Sequence, residues 1–272
     1  MKKYFVVSDV HGFYNELKEA LDKAGFNKDN PEHIFVSCGD FFDRGNQARE
    51  CLDFVMSLPK ERRILVMGNH DENLYQLISG KRVANINDAY NGTIDTIKQF
   101  LGNSKLYNTV AVERRKDLLA NKKLMQYFDE LKDYYANDKY IFVHGWLPWY
   151  TESEEIDDFG FNEKDVIVYN FDSTEWHDAR WANGFEEWRF IRYFVDRYGY
   201  ELKDPRTVVC GHWHTSYAHS KFHNNGREYP WDKENWREDT CFDPFYDKGI
   251  IGLDACTALT KQVNVVVLEE NV

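Results

Sequence analysis

The sequence has 272 residues, a formal net charge of −12, 43% hydrophobic and 29% charged residues, an ordinary globular composition with ample core material and without the basic stripe that nucleic-acid binding requires. No apolar run reaches the roughly 20 residues of a membrane span, and MKKYFVVSDVHG is interrupted by Ser8, Asp9 and His11 after four apolar residues, which argues against a signal peptide. Cys38, Cys51, Cys210, Cys241 and Cys256 are scattered and unpaired in pattern, so free thiols in a reducing cytoplasm are expected rather than a disulfide framework or zinc knuckle.

Residues 4–10 (YFVVSDV) form a β-branched and aromatic run that ends at an Asp. Residues 14–25 place Leu17, Ala20, Leu21 and Ala24 at helical spacing and stop at Gly25. A buried strand follows at 33–40 (HIFVSCGD), an amphipathic helix at 46–57 and another strand at 62–71 (RRILVMGNHD). Near-continuous apolar strands alternating with helices predict βαβ units and a parallel sheet. Residues 72–137 read as polar and helical, and 139–146 (KYIFVHGW) as a strand. An acidic loop at 151–165, an aromatic-rich helix at 184–199 and a strand at 206–214 (RTVVCGHWH) come next. Residues 215–247 show no periodicity, and 248–255 with 261–270 read as a closing β-hairpin. With no internal repeat or Pro/Gly linker, one domain spanning 1–272 is expected, with loops on the substrate side at 147–183 and 215–247.

In α/β sheets, ligands bind beyond the carboxyl ends of strands. Five successive predicted strands here end in possible ligands: Asp9 and His11; Asp40; Asn69, His70 and Asp71; His144; and His212 with His214. Any one of these reads equally well as a turn residue, a cap or a satisfied polar group; five in succession do not. Carboxylate, imidazole and carboxamide donors without thiolate suit Mn, Fe or Zn. Six or seven protein ligands exceed what one catalytic ion with an open position uses. Two divalent ions sharing a carboxylate would use them, as in sites that clamp the attacking and leaving oxygens of a displacement. The residues therefore predict metal-assisted hydrolysis of a phosphate ester.

SDVHG (8–12), GDFFDRG (39–45), GNHD (68–71), VHGW (143–146), GHWH (211–214) and the closing GIIGLDACTAL together resemble the calcineurin-like metallophosphoesterases. GDFFDRG in particular resembles the phosphoprotein phosphatase branch, which includes serine/threonine phosphatases and symmetrical diadenosine tetraphosphatases. The resemblance implies a four-layer α/β/β/α sandwich with two mixed sheets. It also implies a first metal on Asp9 and His11, Asp40 as bridge, a second metal on Asn69, His144 and His212, and His214 returning to the first. A water between the ions would be the nucleophile. His70 would be the general acid, oriented by Asp43, and Arg44 would grip the phosphoryl oxygens. Arg180, in EWHDARW, is the expected second arginine, with a surface arginine stacked on Trp176 or Trp181 as the alternative. Two departures bear on the substrate: the third motif has Asp71 where protein phosphatases of the branch generally have Glu, and HGW replaces the usual small-residue continuation.

The leading expectation is a manganese-dependent serine/threonine-type phosphatase acting on phosphorylated protein or a small phosphate ester. The alternatives are a dinucleoside polyphosphate hydrolase or phosphodiesterase, an inactive metal-binding interaction module, and a structural zinc site. The filled ligand positions argue against an inactive module, and the cysteine-free ligand set against structural zinc. The 215–247 stretch, carrying Tyr217, Tyr229, Trp231, Trp236, Phe242 and Phe245, is expected to lie over or beside the site, with His219 and His223 as ordinary loop histidines.

Overall fold

The computed structural model describes residues 1–155, 163–225 and 239–270. In chain order the elements are β1 (Lys2–Val7), α1 (Tyr14–Ala24), β2 (His33–Ser37), α2 (Ala48–Ser57), β3 (Arg63–Leu65) and α3 (Asn69–Ser79). A helical stretch follows: α4 (Ile86–Tyr90), α5 (Thr93–Phe100), α6 (Asn108–Glu113), α7 (Arg115–Leu119) and α8 (Lys122–Glu130). Then come β4 (Tyr135–Ala136), β5 (Tyr140–Phe142), β6 (Trp149–Glu155), β7 (Glu163–Tyr169), α9 (Trp176–Trp181) and α10 (Gly184–Tyr193). The chain closes with β8 (Glu201–Leu202), β9 (Thr207–Cys210), α11 (Thr215–His223), β10 (Phe245–Asp247), β11 (Ile250–Gly252), α12 (Thr257–Thr260) and β12 (Val266–Glu270).

One mixed sheet has the order β12-β1-β2-β3, with β1, β2 and β3 parallel and β12 antiparallel to β1. A second has the order β10-β11-β9-β5-β4, with β11, β9 and β5 parallel. The period of two along a strand explains why these strands are apolar on both faces. Tyr4, Val6, Ile34 and Val36 of the first sheet meet Phe142, Val209 and Ile251 of the second in a shared core. Phe5, Val7 and Phe35 point the other way, onto Leu17 and Leu21 of α1 and Leu52 and Val55 of α2. Ile141, Val208 and Ile250 likewise face Phe185 and Ile191 of α10 and Ala218 of α11. The result is the helix–sheet–sheet–helix layering of the metallophosphoesterase fold. Among the described residues no helix is long and apolar enough to cross a membrane.

Four expectations need correction. The closing segments are not a hairpin: β11 pairs with β9 and β12 with β1, in different sheets. Left-handed backbone at Cys256 and Lys261, on either side of α12, takes the chain across. Both segments bury a face in the inter-sheet core, through Ile251 on one and Val266 and Leu268 on the other, which gives them hairpin-like patterning. Residues 62–71 are strand only over Arg63–Leu65, and Asn69 and His70 open α3.

The acidic loop at 151–165 is instead largely β-ribbon, with β6 and β7 antiparallel from Trp149↔Tyr169 onward. With β8 they form a third, small sheet, whose polar residues pair across strands, as Ser153 Oγ–H does with Asp165 Oδ1 at 2.7 Å. Finally, 215–247 contains α11 and β10. Tyr217, Phe242 and Phe245 are buried in cores, while Tyr229, Trp231 and Trp236 lie outside the described residues.

Candidate active site

The loops after β1 and β2 are laced together by backbone bonds: Asp9 N–H to Gly39 O, His11 N–H to Asp40 O and Gly12 N–H to Phe41 O. To turn polar side chains inward together, the backbone takes the left-handed region at Asp9, His11, Asp40, Asp43, Arg44 and His212. Each such residue costs about 1–3 kcal/mol, so the clustering marks a place where geometry outweighs comfort. Glycine is required where strands converge. A Cβ on Gly211 would fall 1.9 Å from Ser8 Oγ and 2.2 Å from Asp9 Oδ2, and one on Gly68 would fall 2.1 Å from Asp40 Oδ1.

Asp40 is the centre. It is buried, and its Oδ1 accepts from His70 N–H at 2.9 Å. Donor atoms of Asp40, His11 and His70 lie within 4.8 Å of one another, and so do those of Asp40, His144 and His212. His144 donates Nδ1–H to Cys38 O at 2.8 Å and turns Nε2 to the centre, where it donates to Asn69 Oδ1 at 2.8 Å and lies 3.4 Å from Asp40. Burial opposes the charged ring but Asp40 raises it to about 9, so Nε2 carries a proton that a bound cation would displace. His11 likewise donates Nδ1–H to Phe42 O, leaving Nε2 3.8 Å from Asp9 and 3.9 Å from Asp40. Backbone carbonyls that fix a ligating imidazole's tautomer are the usual support of a metal site. Asp9 is held by Ser8 Oγ–H at 2.6 Å and His212 N–H at 2.9 Å.

The electrostatics fit cations. Burial, then the charge of Asp254, pushes the Asp9 carboxyl up to about 7, and burial pushes Asp254 up to about 6. Burial opposes ionisation of Asp40 too, yet the imidazoles of His144, His70 and His11 hold it well below the carboxylate range. Burial lowers His212 to about 3 and His214 to about 4, keeping both imidazoles neutral, as ligands must be. Buried carboxylates crowded this closely need positive charge beside them, and the oxygen and imidazole donor set is one that divalent ions accept.

His70 Nδ1 is 2.9 Å from Asp43 Oδ2, which also accepts from Thr93 Oγ1–H at 2.6 Å, while Thr96 Oγ1 accepts from Asp43 N–H. Burial opposes protonation of His70, but Asp40 and Asp43 together raise its pKa above the ordinary imidazole value. Its Nε2 lies 3.2 Å from Nη2 of Arg44, an exposed residue. A guanidinium and an imidazole edge thus converge at one point, where both can meet an anionic oxygen.

Arg180 is elsewhere engaged. Its guanidinium bonds Glu72 at 3.0 Å and Asp133, so it ties α9 to α3 and to the segment before β4. Asp71 acts through backbone: Oδ2 accepts from Asp40 N–H at 2.8 Å and Gly68 N–H at 3.0 Å, and Oδ1 accepts from Tyr127 Oη–H at 3.1 Å. His219 bonds Asp243 O, and His223 bonds Asp247. Asp254 was not among the expected site residues. It follows β11, and the strand-end rule that selected the others would have selected it had the segment not been read as half of a hairpin.

The sequence profile described as "Calcineurin-like phosphoesterase" matches residues 2–216. The chain is 25% identical over 174 residues to a Halalkalibacterium halodurans protein named bis(5'-nucleosyl)-tetraphosphatase PrpE [asymmetrical], covering 61% of this chain and 65% of that one. It is 39% identical over 80 residues to the symmetrical bis(5'-nucleosyl)-tetraphosphatase of Buchnera aphidicola, covering 29% and 28%. The chain thus spans less than two thirds of either relative's length. A cold-active protein-tyrosine phosphatase from a psychrophilic Shewanella species shares the fold, with a TM-score of 0.52 and 16% identity over 100% of this chain and 76% of that one.

Proposed function

The chain belongs to the calcineurin-like phosphoesterase family, and on that premise we propose that it is a metal-dependent hydrolase of phosphate esters. The observation that carries this reading is Asp40, a buried carboxylate common to both groups of convergent donors. Asp9, His11 and His214 with Asp40 would hold one divalent ion, and Asn69, His144 and His212 with Asp40 the other. Manganese, iron and zinc all suit that donor set. Such ions, when bound, polarise phosphoryl oxygens and lower the pKa of water.

The chain's own side chains supply the rest. Arg44 grips a phosphoryl oxygen, since a guanidinium offers several donors in one plane. His70 holds a proton at Nε2 and gives it to the leaving oxygen, while Asp43 fixes the ring through Nδ1. Asp43 is in turn held by Thr93 and Thr96. We assign Arg180 to bracing α9 against α3, because both of its terminal amino groups already bond carboxylates.

For the substrate, both named relatives are tetraphosphatases of dinucleosides, so a dinucleoside polyphosphate comes first. The resemblance of GDFFDRG to protein phosphatases makes a phosphoserine peptide the comparison substrate. The test is a parallel assay of diadenosine tetraphosphate, phosphoserine peptide, nitrophenyl phosphate and bis-nitrophenyl phosphate with added manganese, on protein whose metal content is measured. About two ions per chain and preferential turnover of the dinucleoside are expected. Metal-loaded protein inert toward all four would sink the reading.

A further inference from the structure

Asp254 is a fully buried carboxylate that the mechanism above does not use. It sits just beyond β11, the strand that pairs with β9, from whose end His212 and His214 emerge. Two contacts tie it to that end, and a third holds its own turn. Its backbone carbonyl accepts Thr215 N–H at 2.8 Å, fixing the residue after His214. Its Oδ1 accepts Cys256 N–H at 2.7 Å, which stabilises the left-handed turn at Cys256. That leaves Oδ2, which lies 3.7 Å from His214 Nε2. Both side chains are largely withdrawn from water, at 4% and 21% exposure.

Resting on the proposed metal site, we propose that Asp254 is a positioning residue for His214, selecting the tautomer protonated on Nε2 so that Nδ1 stays free to ligate. The chemistry is that of a carboxylate–histidine–metal relay, in which the carboxylate fixes ring orientation and raises the basicity of the ligating nitrogen. His11 and His144 reach the same tautomeric definition through backbone carbonyls, whereas among the described contacts of His214 no carbonyl faces the ring. A carboxylate does that task here. A gap of 3.7 Å is longer than a hydrogen bond, so the carboxylate acts on the ring through its charge, favouring the tautomer that turns an N–H rather than a lone pair toward it.

Asp254→Asn is the discriminating variant. Its carbonyl oxygen can still accept Cys256 N–H, preserving the turn, but its amide turns an N–H toward His214 Nε2. That forces the imidazole proton onto Nδ1, the nitrogen needed for the metal. Manganese binding by the full-length chain, measured by titration calorimetry, should show one of two sites weakened 10–100-fold, the scale for losing such a support. The other site should stay intact. His214→Ala should weaken the same site, and the double variant should be no worse than His214→Ala alone, since the two residues act in series.

Two results would overturn the proposal: wild-type affinity at both sites in Asp254→Asn, or additive losses in the double variant. Additivity would mean that Asp254 binds the ion itself or acts only on the turn. Nitrogen-15 NMR of the His214 ring in the metal-free wild type gives a test independent of folding in any variant: an Nε2–H tautomer is expected, and an Nδ1–H tautomer contradicts the proposal. Failure of the underlying reading would look different, because the wild type itself would then bind no pair of ions.

Discussion

At the residue scale, the site is built from side chains whose partners leave one atom facing the centre. Asp40 is the most exposed to test. Asp40→Asn keeps the acceptor for His70 N–H but removes the charge that both donor groups share, so both ions should be weakened and most activity lost while the far-ultraviolet spectrum is unchanged. Near-normal turnover and metal content would contradict the shared-ligand assignment. Arg44→Ala should lower kcat by on the order of 10²–10³, the scale for one electrostatic donor at developing charge; an unchanged kcat/KM would place Arg44 outside the reaction. His70→Asn separates proton donation from metal binding. General acid catalysis is typically worth about 10²–10⁴, and nitrophenolate leaves without a proton whereas a serine alkoxide does not. The variant should therefore retain its metal and lose far more rate on a phosphoserine peptide than on nitrophenyl phosphate. Equal losses on both, with chemistry limiting, would reassign His70.

At the scale of elements, what the sequence made legible follows from burial. Strands apolar on both faces, such as FVV in β1 and IFV in β2, could be read because two cores cover them. Their polar terminations gave nearly the whole candidate site. Patterning alone could not assign a strand to its partner. β11 and β12 share an inter-sheet core and so look like one hairpin, and that misreading hid Asp254. The third sheet was missed because β6, WYTESEE, buries too little apolar surface to stand out from an acidic loop. Arg180 shows a related limit: sequence offers an arginine near the site but not its partners. Arg180→Ala should therefore behave as a bracing residue. Breaking hydrogen bonds to charged groups costs about 1.5–3 kcal/mol each, tempered here because Asp133 is 43% exposed. Thermal melting should show clear destabilisation with little change in KM for a small aryl phosphate. A raised KM with unaltered stability would restore Arg180 as a substrate clamp.

At the scale of the whole molecule, the site lies where the two sheets converge, with Asp9, His11 and Asp40 from one and His144, His212, His214 and Asp254 from the other. Ligand charge is thus also a property of sheet packing, and ions binding the folded chain should stabilise all of it by mass action. The pH dependence gives the sign. Asp9, with a folded pKa of about 7 against an ordinary 3.8, favours the fold while protonated, and that contribution disappears as pH rises through 7. His144, raised to about 9 chiefly by Asp40 working against burial, likewise loses its contribution as pH rises through 9. His212 and His214, lowered to about 3 and 4, are neutral in the fold throughout, so the small gain they bring as the unfolded imidazoles lose their protons is complete by about pH 7.5, while Asp40 is ionised in both states and adds nothing. Between pH 6.5 and 8.5 the metal-free chain should on balance become less stable, because Asp9 gives up its proton in the fold and folded His144 must hold one that the unfolded chain has already released. Bound manganese replaces those protons with fixed positive charge, so the loaded protein should hold its melting temperature over the same range. The gap between melting temperatures with manganese and with EDTA is expected to widen steadily from pH 6.5 to 8.5. A gap that stayed constant or narrowed would mean that the carboxylates at the junction of the sheets are not what the ions neutralise.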